Sequence, residues 1–424
     1  MSGDSLPRSY QSIPRGLVRR AVASSWTQGA LGAVLVISIV VSALWALNPD
    51  RGLLDFGSFV MAGESQERGL NPYAVDQRLA QSTGYDFGYE DGRGYSPNLN
   101  PPISLYLFRP LAEIDPEAAR TLLTVASVAL FAATAGALLR RYRWQGRPLM
   151  LLWLVSLAGF WYVLWLGQIY MALLALGVSA WLLLEEEQRP AFAGVLIGLL
   201  VCIKPNFGIW PLLLLLGGQQ RTGLVAIAVA GVMSAIPFAL EGPSIYGQWL
   251  AAAAGYERTG LPANASIIGT AERLGVAELG YALAVALVAA AAAFVLRTRP
   301  SAKDTSAIGI LVALLVGPLT WTGYTLFAVP LLMSRRWQRW ELAVAGAMVL
   351  PVWLNTTLDR ATWIPSAEVV GASLMLLLAL TVRDVVGRAN AAVEAPAERR
   401  SEHIWPRQPR GRGGYATPSP WRDG

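Results

Sequence analysis

With one cysteine, one histidine and two lysines in 424 residues, the chain lacks the side chains for several kinds of chemistry. Cys202 alone can form no intramolecular disulfide and no thiolate metal cage. His403 lies in the C-terminal tail, so the apolar body has no imidazole for a histidine-based catalytic dyad. Charge is scarce as well: 15% of residues are charged against 54% hydrophobic, and the mean hydropathy of +0.43 is foreign to an ordinary soluble domain. No glycine loop that would cradle phosphates follows a strand-like segment, which argues against a cytoplasmic nucleotide-sugar substrate.

Long apolar runs are what the chain has instead. Stretches such as "WTQGALGAVLVISIVVSALWAL" and "LGYALAVALVAAAAAFVL" approach the roughly 20 residues that cross a hydrocarbon core of about 30 Å. Lipid cannot hydrogen-bond a bare backbone, so these runs must be helices. The first follows several arginines but has no small-residue cleavage site, and reads as a retained helix rather than a signal peptide. The formal charge of +6 is confined to short clusters between apolar runs: Arg15, Arg19 and Arg20, "RRYRWQGR", "RTRPSAK", "SRRWQR" and the tail. That pattern marks cytoplasmic loops rather than nucleic-acid binding, and arginines at the inner leaflet can touch anionic lipid.

The expected fold is an all-α polytopic membrane protein of about twelve transmembrane helices, with short extracytoplasmic amphipathic helices and both ends in the cytoplasm. Residues 1–24 form a cytoplasmic tail, 25–384 the membrane domain with external loops 48–118 and 241–277, and 385–424 a disordered cytoplasmic tail. The charge and two prolines of "KPNFGIWP" split 191–217 into two short pieces instead of one span.

The first external loop gathers Asp50, Asp55, Glu64, Glu67 and Asp76. Asp55, in "LLDFGSF", falls at the lipid–water boundary, on a short helix expected to lie along the outer surface. It reads either as an N-cap for a helix starting at Phe56 or as a carboxylate whose partial burial poises it as a general base, and the two roles are compatible. Lys204 lies at the outer end of a short helix, either snorkelling or binding an anion such as phosphate. In the loop 241–277 an apolar amphipathic piece precedes Arg258, Asn264, Ser266 and Arg273, donors suited to a headgroup or sugar. The aromatic residues near the outer face, from Trp153 and Trp161 to Trp210 and Tyr324, read mainly as an interfacial belt. No carboxylate spacing matches a metal cage, so no metal ligand or cofactor is assigned.

The order of "LLDFGSFVMAGESQERGLNPY", "SPNLNPPISLYLFRPLA", "WLGQIYMALLALGVSAWLLL", "CIKPNFGIWPLLLLL", "NASIIGTAERL" and "GPLTWTGYTLFAVPLL" resembles glycosyltransferase family 87, which includes α-1,2-mannosyltransferases dependent on polyprenyl-phosphate sugars and related arabinofuranosyltransferases. The resemblance implies the C-type glycosyltransferase fold and an extracytoplasmic active site in the cell membrane. It further implies transfer of mannose, or alternatively arabinofuranose or another pentose, from a polyprenyl-phosphate donor to a glycolipid or glycan acceptor in cell-envelope biosynthesis. Asp55 matches the general base of that family, and Lys204, Asn264 and Ser266 are implied contacts to donor phosphate or sugar; the external arginines Arg258 and Arg273 are, by their charge alone, further candidates for that phosphate. Gln168, Trp321 and Tyr324 are implied to touch acceptor or sugar. One departure stands out: the family's W-x-H-Y pattern reads "WTGY" here, with Gly323 at the histidine position. The competing classes are a secondary transporter and a relative that only binds lipid-linked glycans.

Overall fold

A computed structural model describes residues 25–47, 54–74, 97–144, 147–256, 260–261, 263–349 and 366–394. Arg258, Asp50, Asp76, residues 350–365 and both ends of the chain lie outside these residues. Among the described residues all regular structure is helical.

Six helices are long and apolar enough to cross a membrane: Thr27–Ala46, Glu117–Arg141, Pro148–Leu166, Gln220–Glu241, Ala277–Thr298 and Ala367–Ala391. Four shorter apolar helical stretches, Tyr170–Glu185, Pro190–Ile203, Pro205–Leu216 and Thr322–Ser334, pack among them. In chain order the elements that position the site are α1 (Ser25–Ala46), α2 (Leu54–Glu67), a 3-10 turn (Pro102–Ser104) leading into α3 (Leu105–Ala112), and α4 (Pro116–Arg141). There follow α5 (Pro148–Ser156), α6 (Ala158–Leu166), α7 (Tyr170–Glu185), α8 (Pro190–Ile203), α9 (Ile209–Leu216), α10 (Gln220–Glu241), α11 (Ser244–Ala254) and α12 (Ile267–Arg273). The chain continues through α13 (Ala277–Thr298), α14 (Ala302–Val316), α15 (Val329–Ser334), α16 (Arg339–Ala347) and α17 (Ser366–Glu394), which runs ten residues past the boundary set at 384.

The break in "KPNFGIWP" falls where its prolines and charge put it. α8 ends at Ile203, Lys204 leaves helical geometry, and a 3-10 turn over Pro205–Gly208 leads into α9. The direction of the two pieces follows from packing. A Cβ on Gly194 would meet the Thr222 carbonyl at 2.6 Å, and one on Gly198 the Ala226 carbonyl at 2.7 Å. Rising residue numbers pair with rising numbers, so α8 and α10 run parallel. The chain between them must therefore reverse twice, and α9 returns antiparallel to both.

These glycines let the backbones of α8 and α10 touch, as small residues do between helices in lipid, where close packing rather than hydrophobic burial holds helices together. Gly198→Val should cost about 1–3 kcal/mol by overpacking. It should lower the melting temperature in detergent, whereas Gly29→Ala, with nothing within 4 Å of its Cβ, should not.

Two sequence expectations need correction. α2 does not lie along a surface: Phe56, Phe59, Val60, Met61 and Ala62 are buried against α3 and α4. Among the described residues expected in the belt, Trp153, Trp161, Tyr162, Tyr170, Trp210 and Tyr324 are core, buried inside the bundle, while Trp165, Trp249 and Trp321 keep partial exposure; Trp353 lies outside the described residues. Their ring areas stabilise the bundle through protein contacts, with Trp153 Nε1 donating to the Ala345 carbonyl at 2.9 Å.

Charges separate along the bundle. At the α8–α10 C-terminal end, Glu241 accepts from Gln66 Nε2 at 2.8 Å and from the Tyr106 hydroxyl at 3.2 Å, tying α10 to α2 and α3. At the other end Glu185 gathers Lys303 at 2.5 Å, Arg141 at 3.2 Å and the Tyr142 hydroxyl at 2.8 Å.

Candidate active site

Asp55 lies in the first turn of α2, one residue inside the helix rather than capping it from outside. There its charge is favoured by the unpaired N–H groups of the helix start. Its carboxyl is surrounded by protein, while the residue as a whole keeps an intermediate share of its surface accessible. Gln168, in the turn between α6 and α7, donates its Nε2–H to Asp55 Oδ2. Burial pushes the carboxyl up from 3.8 to about 6, against the opposing pull of the Gln168 hydrogen bond and the Lys204 charge.

Lys204 is close enough to bias Asp55 electrostatically but forms no ion pair with it. Its ammonium sits over the ring of Tyr170, 4.8 Å from the centroid, and 5.7 Å from that of Tyr324. The two tyrosines pack against each other at 4.7 Å, with Phe207 behind Tyr324. A ring face attracts a cation without neutralising it, so the site holds a positive charge still able to take an anion. Tyr162 and Tyr170 both feel the Asp55 charge.

Buried polar atoms rarely go without a partner, and three belong to this neighbourhood or to its bordering segments: Gln168 Oε1, Asn206 Nδ2 and Thr322 Oγ1. Each lies within two residues of Lys204, Tyr170 or Tyr324 in sequence. Together they supply both donors and acceptors, as recognition of a hydroxylated ligand requires.

The remaining expected residues have other work. Asn264 is fully buried; its Oδ1 accepts from the Ser266 and Thr320 backbone N–H groups and its Nδ2 donates to the Pro318 carbonyl at 2.8 Å. Ser266 caps α12 by accepting from the Gly269 N–H at 2.9 Å. Arg273 pairs with Glu368 at 2.6 Å and donates to the Leu261 and Asn264 carbonyls. These three staple the segment before α12 to the α14 turn and α17, instead of facing Asp55. Trp321 is the residue before the 3-10 turn over Thr322–Ala328 and packs on the core. The carboxylates near Asp55 are paired, Glu64 with Arg68 at 2.5 Å and Glu67 with Arg109 at 2.9 Å. Among the described residues no three histidine, cysteine or acidic side chains come together.

The glycine of "WTGY" has a physical counterpart. A Cβ on Gly323 would lie 2.7 Å from the Tyr170 ring and 3.1 Å from Val163, so the tyrosine occupies the space a side chain at 323 would need. Tyr170, Tyr162, Asn206 and Thr322 were not singled out for this site from the sequence; only the nearness of Tyr170 to Gln168 in "GQIY" could have hinted at one of them.

An Asp–Gln pair can take a proton, and a cation beside it can meet an anion, which is chemistry that group transfer can use. The sequence model of glycosyltransferase family 87 matches residues 98–320, more than half of the chain. The chain belongs to glycosyltransferase family 87. It is a membrane glycosyltransferase, acting on a sugar donor and an acceptor. No curated protein and no solved structure matches it. The matched region contains Gln168, Lys204 and Tyr170 but starts after Asp55, so the part played by Asp55 rests on its geometry.

Proposed function

We propose that this family 87 glycosyltransferase moves a sugar, mannose being the first candidate, from a polyprenyl-phosphate donor to a glycolipid or glycan acceptor outside the cytoplasm. The single observation that carries this is a buried Asp55 carboxyl, pushed up to about 6, within electrostatic reach of a Lys204 cation held on tyrosine rings. A lipid phosphate leaving group needs a cation beside an apolar wall, and the acceptor hydroxyl needs a base on its other side.

In this mechanism the acceptor oxygen attacks the anomeric carbon as the bond from that carbon to the phosphate oxygen breaks. The phosphate departs with the bonding electrons, stabilised by Lys204. Asp55 takes the hydroxyl proton, and one displacement inverts the anomeric centre without a covalent enzyme intermediate. Gln168 orients the carboxylate through one amide hydrogen.

Twelve crossings of a C-type fold, with both ends cytoplasmic, complete the proposal. The parallel run of α8 and α10 supports it, because it lets the short pieces α8 and α9 count as two passes. The arginine-rich end that holds Arg141 and Lys303 is then cytoplasmic, and Asp55 opens to the opposite side.

Transfer of labelled sugar by the purified protein in detergent, from a panel of mannosyl and arabinofuranosyl polyprenyl phosphates, tests the reading. Label in the acceptor supports it, and a protein inert toward every donor of the panel refutes it. Because the base must be ionised, kcat/KM should fall about tenfold for each pH unit below about 6 and level off above it. A profile flat through that range would contradict the assignment.

A further inference from the structure

We infer that Tyr170 is a positioning residue for Lys204, its ring seating the ammonium, and that Gly323 is the residue whose missing side chain admits that ring. The inference rests on the part proposed for Lys204 above and adds what holds the lysine in place.

A lysine ammonium ends a flexible four-carbon stem, so it keeps one position only where a neighbour holds it. No acid does so here. Among the described residues the Lys204 side chain has no ion pair or hydrogen bond, and it meets two ring faces, Tyr170 at 4.8 Å and Tyr324 at 5.7 Å from the centroid. The nearer ring is also the more buried, with 1% of Tyr170 exposed against 6% of Tyr324. Attraction of a cation to a ring face strengthens as water is excluded, so Tyr170 is the principal seat. Its place in the chain joins that seat to the acid. Gly167 turns the chain out of α6 in the left-handed region, at φ 67°, Gln168 donates to Asp55, and Tyr170 opens α7. One short turn thus governs both charges of the site.

Gly323 makes the seat possible by taking up no space. Its backbone does not call for a glycine, since it is not among the residues with positive φ. Its surroundings do. A Cβ there would stand 2.7 Å and 3.0 Å from two carbons of the Tyr170 ring and 3.1 Å from Val163, and contacts that close force one partner to move. The 3-10 turn that carries Gly323 is buried along its whole length, from Thr322 to Ala328, so the ring is the partner that yields. A side chain at 323 therefore displaces the ring on which Lys204 rests.

The test exploits the scarcity of lysine. Lys204 and Lys303 are the two lysines of the chain, so the full-length protein in detergent, reductively methylated with isotope-labelled formaldehyde, gives two lysine NMR signals besides that of the N-terminal amine, assigned with Lys204→Arg and Lys303→Arg. A methylated ammonium over a ring face resonates upfield. The Lys204 signal should be upfield in the wild type, move toward the position of a free methylated lysine in Tyr170→Leu and in Gly323→Ala, and return upfield in Tyr170→Phe. In sugar transfer Tyr170→Leu should raise the donor KM about tenfold and carry the acid limb of the rate profile to higher pH, and Tyr170→Phe should recover most of both. Gly323→Ala added to Tyr170→Leu should cost nothing further, because both act through one ring. A Lys204 signal unmoved in Tyr170→Leu, a Tyr170→Phe no better than Tyr170→Leu, or additive losses in the double variant would each overturn the inference. Should Tyr170→Leu not fold, Gly323→Ala decides alone, and an unmoved signal there overturns it. The two proposals fail separately: the NMR signal needs no donor, so a seated lysine in a protein that transfers no sugar removes only the enzyme reading, whereas transfer with an unseated lysine removes only the seat.

Discussion

Asp55→Asn is expected to lower kcat by about 10² to 10⁴, equivalent to roughly 3–5 kcal/mol of transition-state stabilisation, while leaving donor affinity nearly unchanged. The amide keeps the volume of the side chain and a carbonyl oxygen that can accept from Gln168, so the surroundings of residue 55 keep their shape. What it loses is the capacity to take a proton. The defect should therefore appear in the chemical step and not in binding, which a donor titration followed by turnover at saturating donor resolves. Asp55→Asn with weakened donor affinity and normal kcat would instead make the residue a binding group.

Lys204→Met should act on the donor phosphate both as it binds and as it leaves, so that donor KM rises and kcat falls. The Lys204 ammonium acts on Asp55 electrostatically and has no anionic partner among the described residues, so a donor phosphate is a charge it can meet. A hydrogen bond to a charged group is worth about 1.5–3 kcal/mol, and its loss should raise the donor KM on the order of ten- to a hundredfold. A second effect follows from sign. Lys204 holds the Asp55 carboxyl down, so removing it lets burial push that carboxyl above about 6, and the acid limb of the rate profile should move to higher pH. Lys204→Arg keeps the charge and should restore the limb. If Lys204→Met leaves both donor KM and the limb unmoved, the lysine is only a helix-end cation.

Much of the membrane fold was legible in the sequence because its signals are local. Apolar runs announced the long helices, and a lysine followed by two prolines, Pro205 and Pro211, announced the break after α8. The site was legible only in part. Asp55 and Lys204 could be found as rare charges at the edges of apolar segments. Their partners could not, since Gln168 meets Asp55 across 113 residues and no periodicity encodes such a contact. Asn264 and Ser266 have a structural use that the sequence reading did not assign to them. The "NAS" triplet looks like a set of ligand donors, but its groups close a buried turn, a use that the cap spacing from Ser266 to Gly269 announces once α12 is known to start at Ile267. The aromatic residues misled because a lipid interface and a protein core both accept tryptophan, and only packing separates the two.

The claim on which the mechanism stands is that the ionisation which governs the rate belongs to Asp55. Single-turnover transfer from saturating polyprenyl phosphosugar, followed against pH in the wild type and in Asp55→Asn, measures it directly. The wild-type rate should climb with pH through the region near 6 and then level, and the variant should be slow and indifferent to pH. A variant that keeps the same climb would assign the proton to another group and contradict the account.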